Sequence, residues 1–499
     1  MFPTPRSDLT PNTPAYEVEP LIIPTGFREY DARWLYPDSL NMMGVQALGM
    51  GLGTLIKQQI AKPAIVVGHD YRIYSATIKQ ALIVGLMEVG LEVHDIGLSL
   101  SPMAYFAQHD LGVPGLAMVT ASHNENGWTG FKMAMEPTVT FGPDDMAQLR
   151  DIVLGGKFER TGGGRYHYVE GFNERYLSNL TNRPVLSRRL RVVLDCGNGT
   201  AGVFAPPVFD ALGADVIPLH CTPDYTFPHY NPNPEDMAML TSLGKAVREN
   251  SADIGLAFDG DGDRCGVVDD KGRAIFADKI GLMLARMLAE QHRHARFVVD
   301  IKSTGLFMTD PVLQTRGAQV EYWKTGHSHM KRRMREVGAL AGFEKSGHYF
   351  PAPPLGYGYD DGILSAIMVC DMVCAAGGEP LSALYSALPT TWASPTISPY
   401  CADEKKYQVV EELTQQYQAE ASAGKTIAGL PITDIMTING VRVTLSDGGW
   451  GLVRASSNKP CLVVVVESPT SEEAMGTLFD DINTRLARIP DVGSYDQTL

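Results

Sequence analysis

AIVVGHD, residues 64–70, is a β-branched run that ends on an aspartate, and the figure returns as VVLDCGNG (192–199) and FVVDIKSTG (297–305). In each copy the aspartate (Asp70, Asp195, Asp300) opens a short polar turn and a helical stretch. A Gly-x-x-Val then begins another strand, at Gly90 and Val93, Gly213 and Val216, Gly317 and Val320. The Asp-to-Val spacings of 23, 21 and 20 residues suit a helix and a return strand, as in a βαβ unit. Three similar α/β domains in series is the expectation, with chance likeness among α/β strands as the alternative.

Outward from these copies, the last hundred residues change character. A charged helical stretch (ADEKKYQVVEELTQQYQAEA), short strands around ITDIMTINGVRVTL and CLVVVVES, and a helix in SEEAMGTLFDDINTRLARI read as a separate α+β domain. The expected domains are 1–170, 171–273, 274–393 and 394–499. A chain of 499 residues exceeds what one core sustains, which fits. A formal charge of −15 argues against nucleic-acid and anionic-membrane partners but leaves room for a local basic pocket that takes a small anion. No run is long enough to span a bilayer, and the Pro- and Thr-rich residues 1–20 read as an arm of a cytoplasmic protein. Seven cysteines without a CxxC pair suit a reducing compartment, with Cys370 and Cys374 packing as small hydrophobes on a helix.

Four segments carry chemistry. In FDGDGDR (258–264), Asp259, Asp261 and Asp263 alternate with glycines that let the loop curl until three carboxylates meet one hard cation. An EF-hand fails on spacing, because Arg264 stands at its sixth position and Asp270 at its twelfth. A solvated acidic turn is the plainer alternative. In GLAMVTASHNENGWTGFKM (115–133), a strand ending at Val119 presents Ser122 beside His123, with Lys132 ten residues on. A serine is a weak nucleophile until a base or metal eases loss of its proton, and SHN also suits an ordinary hydrogen-bonded turn. AGFEKSGHYF (341–350) alternates Glu344, Ser346 and His348, whose tips are expected to project together, with glutamate suited to vicinal hydroxyls. GLVRASSNKPCLVVVV (451–466) gathers Arg454, Ser456, Ser457, Asn458 and Lys459 before a buried strand, where they and turn N–H groups suit a phosphate dianion.

In this order the segments resemble the α-D-phosphohexomutase superfamily, and most closely its bacterial phosphomannomutase/phosphoglucomutase group. TASHN, DGDGDR, EKSGH and RASSNKP carry the likeness, joined by FREYDAR (Tyr30, Arg33), DIKSTG (Lys302) and KTGHS (His327). The resemblance implies four domains around a central cleft and a phosphoryl group carried on Ser122. It implies one Mg2+ held by Ser122, Asp259, Asp261 and Asp263, sugar hydroxyls gripped by Glu344 and Ser346, and the idle phosphate held by Arg454, Ser456, Ser457 and Asn458. Tyr30, Lys302, His327 and His348 join the substrate-binding set. Lys132, Arg33 and Arg264 would neutralise charge, while His123, Lys132 and Arg33 are the candidate general bases. The expected reaction interconverts hexose 1-phosphate and hexose 6-phosphate, of mannose, glucose or both, through a hexose 1,6-bisphosphate that also acts as activator. That intermediate must turn around, which favours a flexible C-terminal domain. Alternatives are a phosphoglucosamine mutase, a sugar phosphatase and a catalytically silent sugar-phosphate sensor. Glu125, Trp34, Lys345 and Lys459 depart from the family pattern, and a cationic Lys345 is expected to disfavour a protonated amino sugar. Oligomeric state and pathway are not written in the sequence.

Overall fold

The computed structural model describes residues 19–497, so all but the last two residues of the expected N-terminal arm lie outside the described residues. No described helix is long and apolar enough to cross a membrane. All three sequence copies fold as parallel βαβ units. Ala64–His69 pairs with Glu92–Leu98 across the helix Ser75–Glu88. Arg191–Asp195 pairs with Asp215–Leu219 across Ala201–Ala211, and Arg296–Asp300 pairs with Gln319–Trp323. The third crossover is broken into Leu306–Thr309 and Pro311–Thr315. Proline disfavours helical backbone in the residue before it, and Asp310 uses that break to accept from the Val312 and Leu313 amides at 3.0 Å.

In every copy a further parallel strand joins the open side of the first: Gly115–Val119, Ile254–Phe258 and Ala341–Phe343. TASHN, DGDGDR and EKSGH each occupy the turn that leaves this strand. Repetition of the fold therefore places three chemically different loops at one topological position. The aspartate ending the first strand of a copy serves as a strut. Asp70 accepts from Thr120 Oγ1 at 2.9 Å, and Asp300 accepts from the Lys345 amide at 3.1 Å and Thr325 Oγ1 at 2.9 Å. Asp195 instead takes the Gly197 amide and the Tyr230 hydroxyl, and neither belongs to the DGDGDR turn.

The C-terminal domain is an antiparallel run of Leu430–Met436, Val441–Leu445, Trp450–Ala455 and Leu462–Ser468. Val409, Leu413 and Tyr417 of helix Lys406–Ser422 join Leu478 and Ile482 of helix Glu472–Leu486 in its core.

The chain divides into two compact units, the residues up to Ile275 with Gly347–Pro380, and Phe276–Ser346 with Leu381–Leu499. The C-terminal domain thus belongs to the same unit as most of the third. Trp450, Leu452, Val463 and Val465 pack on Ile301. Arg442 donates to the carbonyls of Ile301 and Ser303 at 2.7 and 2.8 Å and lies over the rings of Trp450 and Tyr322. Buried Lys279 bonds Glu467, which also accepts from Trp450 Nε1 at 2.8 Å and the Gly305 amide at 2.9 Å. Truncating one partner of such a buried pair strands the other charge, typically at a cost of about 3–5 kcal/mol.

Candidate active site

In the first unit the site begins with Ser122, the third residue of its turn, at φ 50°. Left-handed backbone is uncommon for serine, and neighbours hold it there. Asp70 ties Thr120, whose Oγ1 accepts the Ser122 amide at 2.9 Å. Arg72 donates to the Ser122 carbonyl at 3.0 Å and also bonds the Asn124 carbonyl. Sequence reading missed Arg72. The signal was there, in the HDYR that ends the first repeat strand, but only as a repeat marker.

Ser122 Oγ donates to Asp259 Oδ2 at 3.0 Å. Ligand oxygens of Asp259, Asp261 and Asp263 lie within 4.8 Å of one another, and all three residues are buried. Gly260 makes the approach possible, because a Cβ there would stand 2.5 Å from the Ser122 carbonyl. Burial and the charges of Asp263 and Asp261 push the Asp259 carboxyl well above the carboxylate range. Burial pushes Asp261 the same way, but the Lys132 ammonium at 2.7 Å and the Ser101 hydroxyl at 2.5 Å outweigh it and hold that carboxyl low. Asp261 Oδ1 and Asp263 Oδ1 are buried with no hydrogen-bond partner. Unspent hard oxygens around converging negative charge fit a divalent cation such as Mg2+.

Lys132 lies between Asp261 and Asp263. Burial lowers its pKa, but the two carboxylates outweigh that and raise it well above the ordinary lysine value. Paired with two carboxylates, Lys132 is held as a cation. Arg33 donates to Asp31 at 2.8 Å and to the Thr120 carbonyl at 2.6 Å, which places it as a brace of the serine turn. Of the three candidate bases, His123 is the one at the hydroxyl, with Nδ1 3.3 Å from Ser122 Oγ. Arg264 donates to His123 Nδ1 at 2.8 Å, to His348 Nε2 at 3.0 Å and to Glu235 at 3.3 Å. His348 Nδ1 lies 2.8 Å from Asp360 and 3.8 Å from Asp263. Asp360, Glu235 and Ser101 carry no motif of their own that would single them out from the sequence. Tyr30 is buried near the start of this unit.

In the second unit, Glu344 Oε1 accepts the Gly326 amide at 2.6 Å, and Oε2 accepts from Ser346 Oγ at 3.1 Å. The predicted alternation ends at Gly347, whose φ of 93° makes the segment a turn. Glu344 and Ser346 converge, whereas His348 follows the Arg264 cluster described above. Lys302 and His327 are both buried, Lys302 between the two carbonyls that Arg442 holds and His327 at the start of helix His327–Val337. Arg454 donates to Ser457 Oγ at 3.2 Å. Ser456 Oγ accepts the amides of Asn458 and Lys459 at 3.4 and 3.2 Å. Those two N–H groups shape the turn. The expectation for Lys345 is corrected: its ammonium is buried 3.7 Å from Asp278 and 4.4 Å above the Phe276 ring, so its charge is compensated. Trp34 is a core residue that donates to the Ile23 carbonyl at 2.8 Å.

A strand-mounted serine against three aspartates, with arginine and lysine around it, is the layout of a phosphoryl-transfer centre. Residues 24–160, 168–272 and 276–392 match the phosphoglucomutase/phosphomannomutase alpha/beta/alpha domains I, II and III, and residues 401–485 match the C-terminal domain. The chain belongs to the phosphoglucomutase/phosphomannomutase family. It is 34% identical over 468 residues to a phosphomannomutase/phosphoglucomutase of Pseudomonas putida, covering 93% of this chain and 96% of that one. It is 32% identical over 414 residues to a probable phosphoglucosamine mutase of Methanothermobacter thermautotrophicus, covering 82% and 87%. Among solved structures, a phosphoglucomutase/phosphomannomutase family protein from Burkholderia thailandensis superposes with a TM-score of 0.83 at 29% identity, covering 95% and 99%.

Proposed function

We propose that this protein is a phosphohexomutase that interconverts hexose 1-phosphate and hexose 6-phosphate, of glucose and mannose, through phospho-Ser122 and a hexose 1,6-bisphosphate. The observation that carries the reading is Ser122 Oγ 3.0 Å from Asp259 in a buried cluster of three aspartates, with Lys132 and Arg264 as fixed cations. Asp259, Asp261 and Asp263 would hold Mg2+, which supplies charge neutralisation at the transferring phosphoryl group.

In the first half-reaction the free sugar hydroxyl attacks phosphorus and the P–Oγ bond to Ser122 breaks. The proton that the sugar loses ends on Ser122 Oγ; His123 is the nearest of the candidate bases, and relay through its Nδ1 requires Arg264 to release that atom. The second half-reaction reverses these steps with the other phosphate of the bisphosphate. Arg264 and Lys132 neutralise the equatorial oxygens, and their positions cost no reorganisation because neighbours already fix them. In the second unit Glu344 and Ser346 would read hydroxyls 3 and 4, which glucose and mannose share. Arg454, Ser456, Ser457 and Asn458 would bind the idle phosphate. The domain division at 170, 273 and 393 and a cytoplasmic location belong to the same proposal, the latter supported by seven free cysteines.

A single assay tests the reading. With a bisphosphate activator and Mg2+, glucose 1-phosphate and mannose 1-phosphate should be converted to 6-phosphates at comparable kcat/KM, with no inorganic phosphate released. Stoichiometric phosphate release would identify a phosphatase, binding without turnover a sensor, and preference for glucosamine 1-phosphate an amino-sugar mutase.

A further inference from the structure

Asn439 is the third residue of the four-residue turn between strands Leu430–Met436 and Val441–Leu445. Its carboxamide oxygen accepts two donors from different domains of the second unit, Arg454 Nε at 2.8 Å and the Thr325 backbone amide at 3.2 Å. The next amide along, that of Gly326, donates to Glu344 at 2.6 Å. Two consecutive amides of the KTGHS turn therefore hold, one through Asn439, the guanidinium of the phosphate loop and the carboxylate of the sugar loop. Gly440 permits the approach: it sits at φ 88°, and a Cβ there would stand 2.4 Å from the Val453 carbonyl and 2.6 Å from Arg454 Cβ. Arg454 has its Nε on Asn439 and one Nη2 proton on Ser457, which leaves Nη1 and the other Nη2 proton for a ligand.

Resting on the mutase reading above, we propose that Asn439 is a positioning residue for substrate: it fixes the separation between the phosphate-binding guanidinium and the hydroxyl-binding carboxylate. A hexose phosphate can present its hydroxyls to Glu344 and its idle phosphate to Arg454 in either orientation only if that separation is held. Asn439 touches no reacting atom, so its loss acts on binding and leaves the chemical step intact.

The test compares wild type, Asn439→Ala and Asn439→Asp, full-length. For Asn439→Ala we expect KM for glucose 1-phosphate and for glucose 6-phosphate to rise together by at least about tenfold, with kcat within about threefold of wild type. Asn439→Asp keeps the acceptor oxygen and should restore KM to within about threefold. Calorimetric binding of glucose 6-phosphate should weaken and recover in the same pattern. An unchanged KM in Asn439→Ala overturns the proposal, as does a fall in kcat alone, or a defect in Asn439→Asp equal to that in Asn439→Ala. Failure of the mutase reading would show separately, as absent turnover in the wild type, while calorimetry still judges Asn439.

Discussion

The turns 259–264 and 344–348 leave equivalent strands of two copies of the repeat, yet one gathers three carboxylates and the other a single one. Around Asp259, Asp261 and Asp263 the excess charge leaves two oxygens unspent and calls for cations. Around Glu344 both oxygens already accept protons from Gly326 and Ser346. The first arrangement is poised for charge that moves, the second for neutral donors that stay. Topology sets where a loop stands, and the balance of buried charge sets its chemistry.

Removing the nucleophile should give the largest contrast. Ser122→Ala is expected to lower kcat by about 10,000-fold or more, since Thr120 is engaged with Asp70 and cannot substitute. Its binding of glucose 6-phosphate by calorimetry should change by less than about threefold, because binding depends mainly on the other turn. Asp261→Asn comes next. It takes a charge from the cation cluster and from Lys132, and the Mg2+ concentration giving half-maximal activity should rise at least about tenfold. Full activity of this variant in chelator would make the 259–264 turn structural.

Glu467→Gln probes the recognition unit through stability and pH. Burial would raise the Glu467 carboxyl, but Lys279 outweighs it and holds the value at about 2. A depressed carboxylate contributes stability above its unfolded pKa and loses it as pH falls through the folded value. From an ordinary 4.5 to about 2, that amounts to about 3 kcal/mol. The thermal midpoint of Glu467→Gln should therefore lie well below wild type at pH 7, with the gap narrowing as pH falls from 6 towards 3. A gap that stays constant would contradict the assignment. Lys345→Met should have the smallest effect. With its charge set on Asp278, the ratio of kcat/KM for glucosamine 1-phosphate over glucose 1-phosphate is expected to move by less than about twofold. A larger change would return Lys345 to substrate discrimination.

Much of this was legible because backbone pattern and loop composition report different things. Strand–turn–helix repetition announces βαβ units through β-branched runs and their spacing, and all three copies folded that way. The three aspartates stood out because carboxylates and glycines alternating after an apolar run have few structural uses, whereas Ser122 was singled out by the family resemblance that TASHN helps carry. Side-chain direction was less legible. Nothing in EKSGH says that Gly347 breaks the alternation, or that His348 turns to Asp360. Lys345 looked like a free cation because its partner, Asp278, is 67 residues earlier in the chain. The Lys279–Glu467 tie to the C-terminal domain was hidden for the same reason, since the two lie 188 residues apart.

The central claim is that Ser122 carries the phosphoryl group through the cycle. Incubating dephosphorylated enzyme with glucose 1,6-bisphosphate labelled in its phosphates, followed by rapid quench and peptide mapping, tests it directly. The account predicts close to one labelled phosphate per chain on Ser122, discharged when unlabelled glucose 1-phosphate is added, and none in Ser122→Ala. Label on another residue, or turnover of sugar phosphate with Ser122 unlabelled throughout, would contradict it.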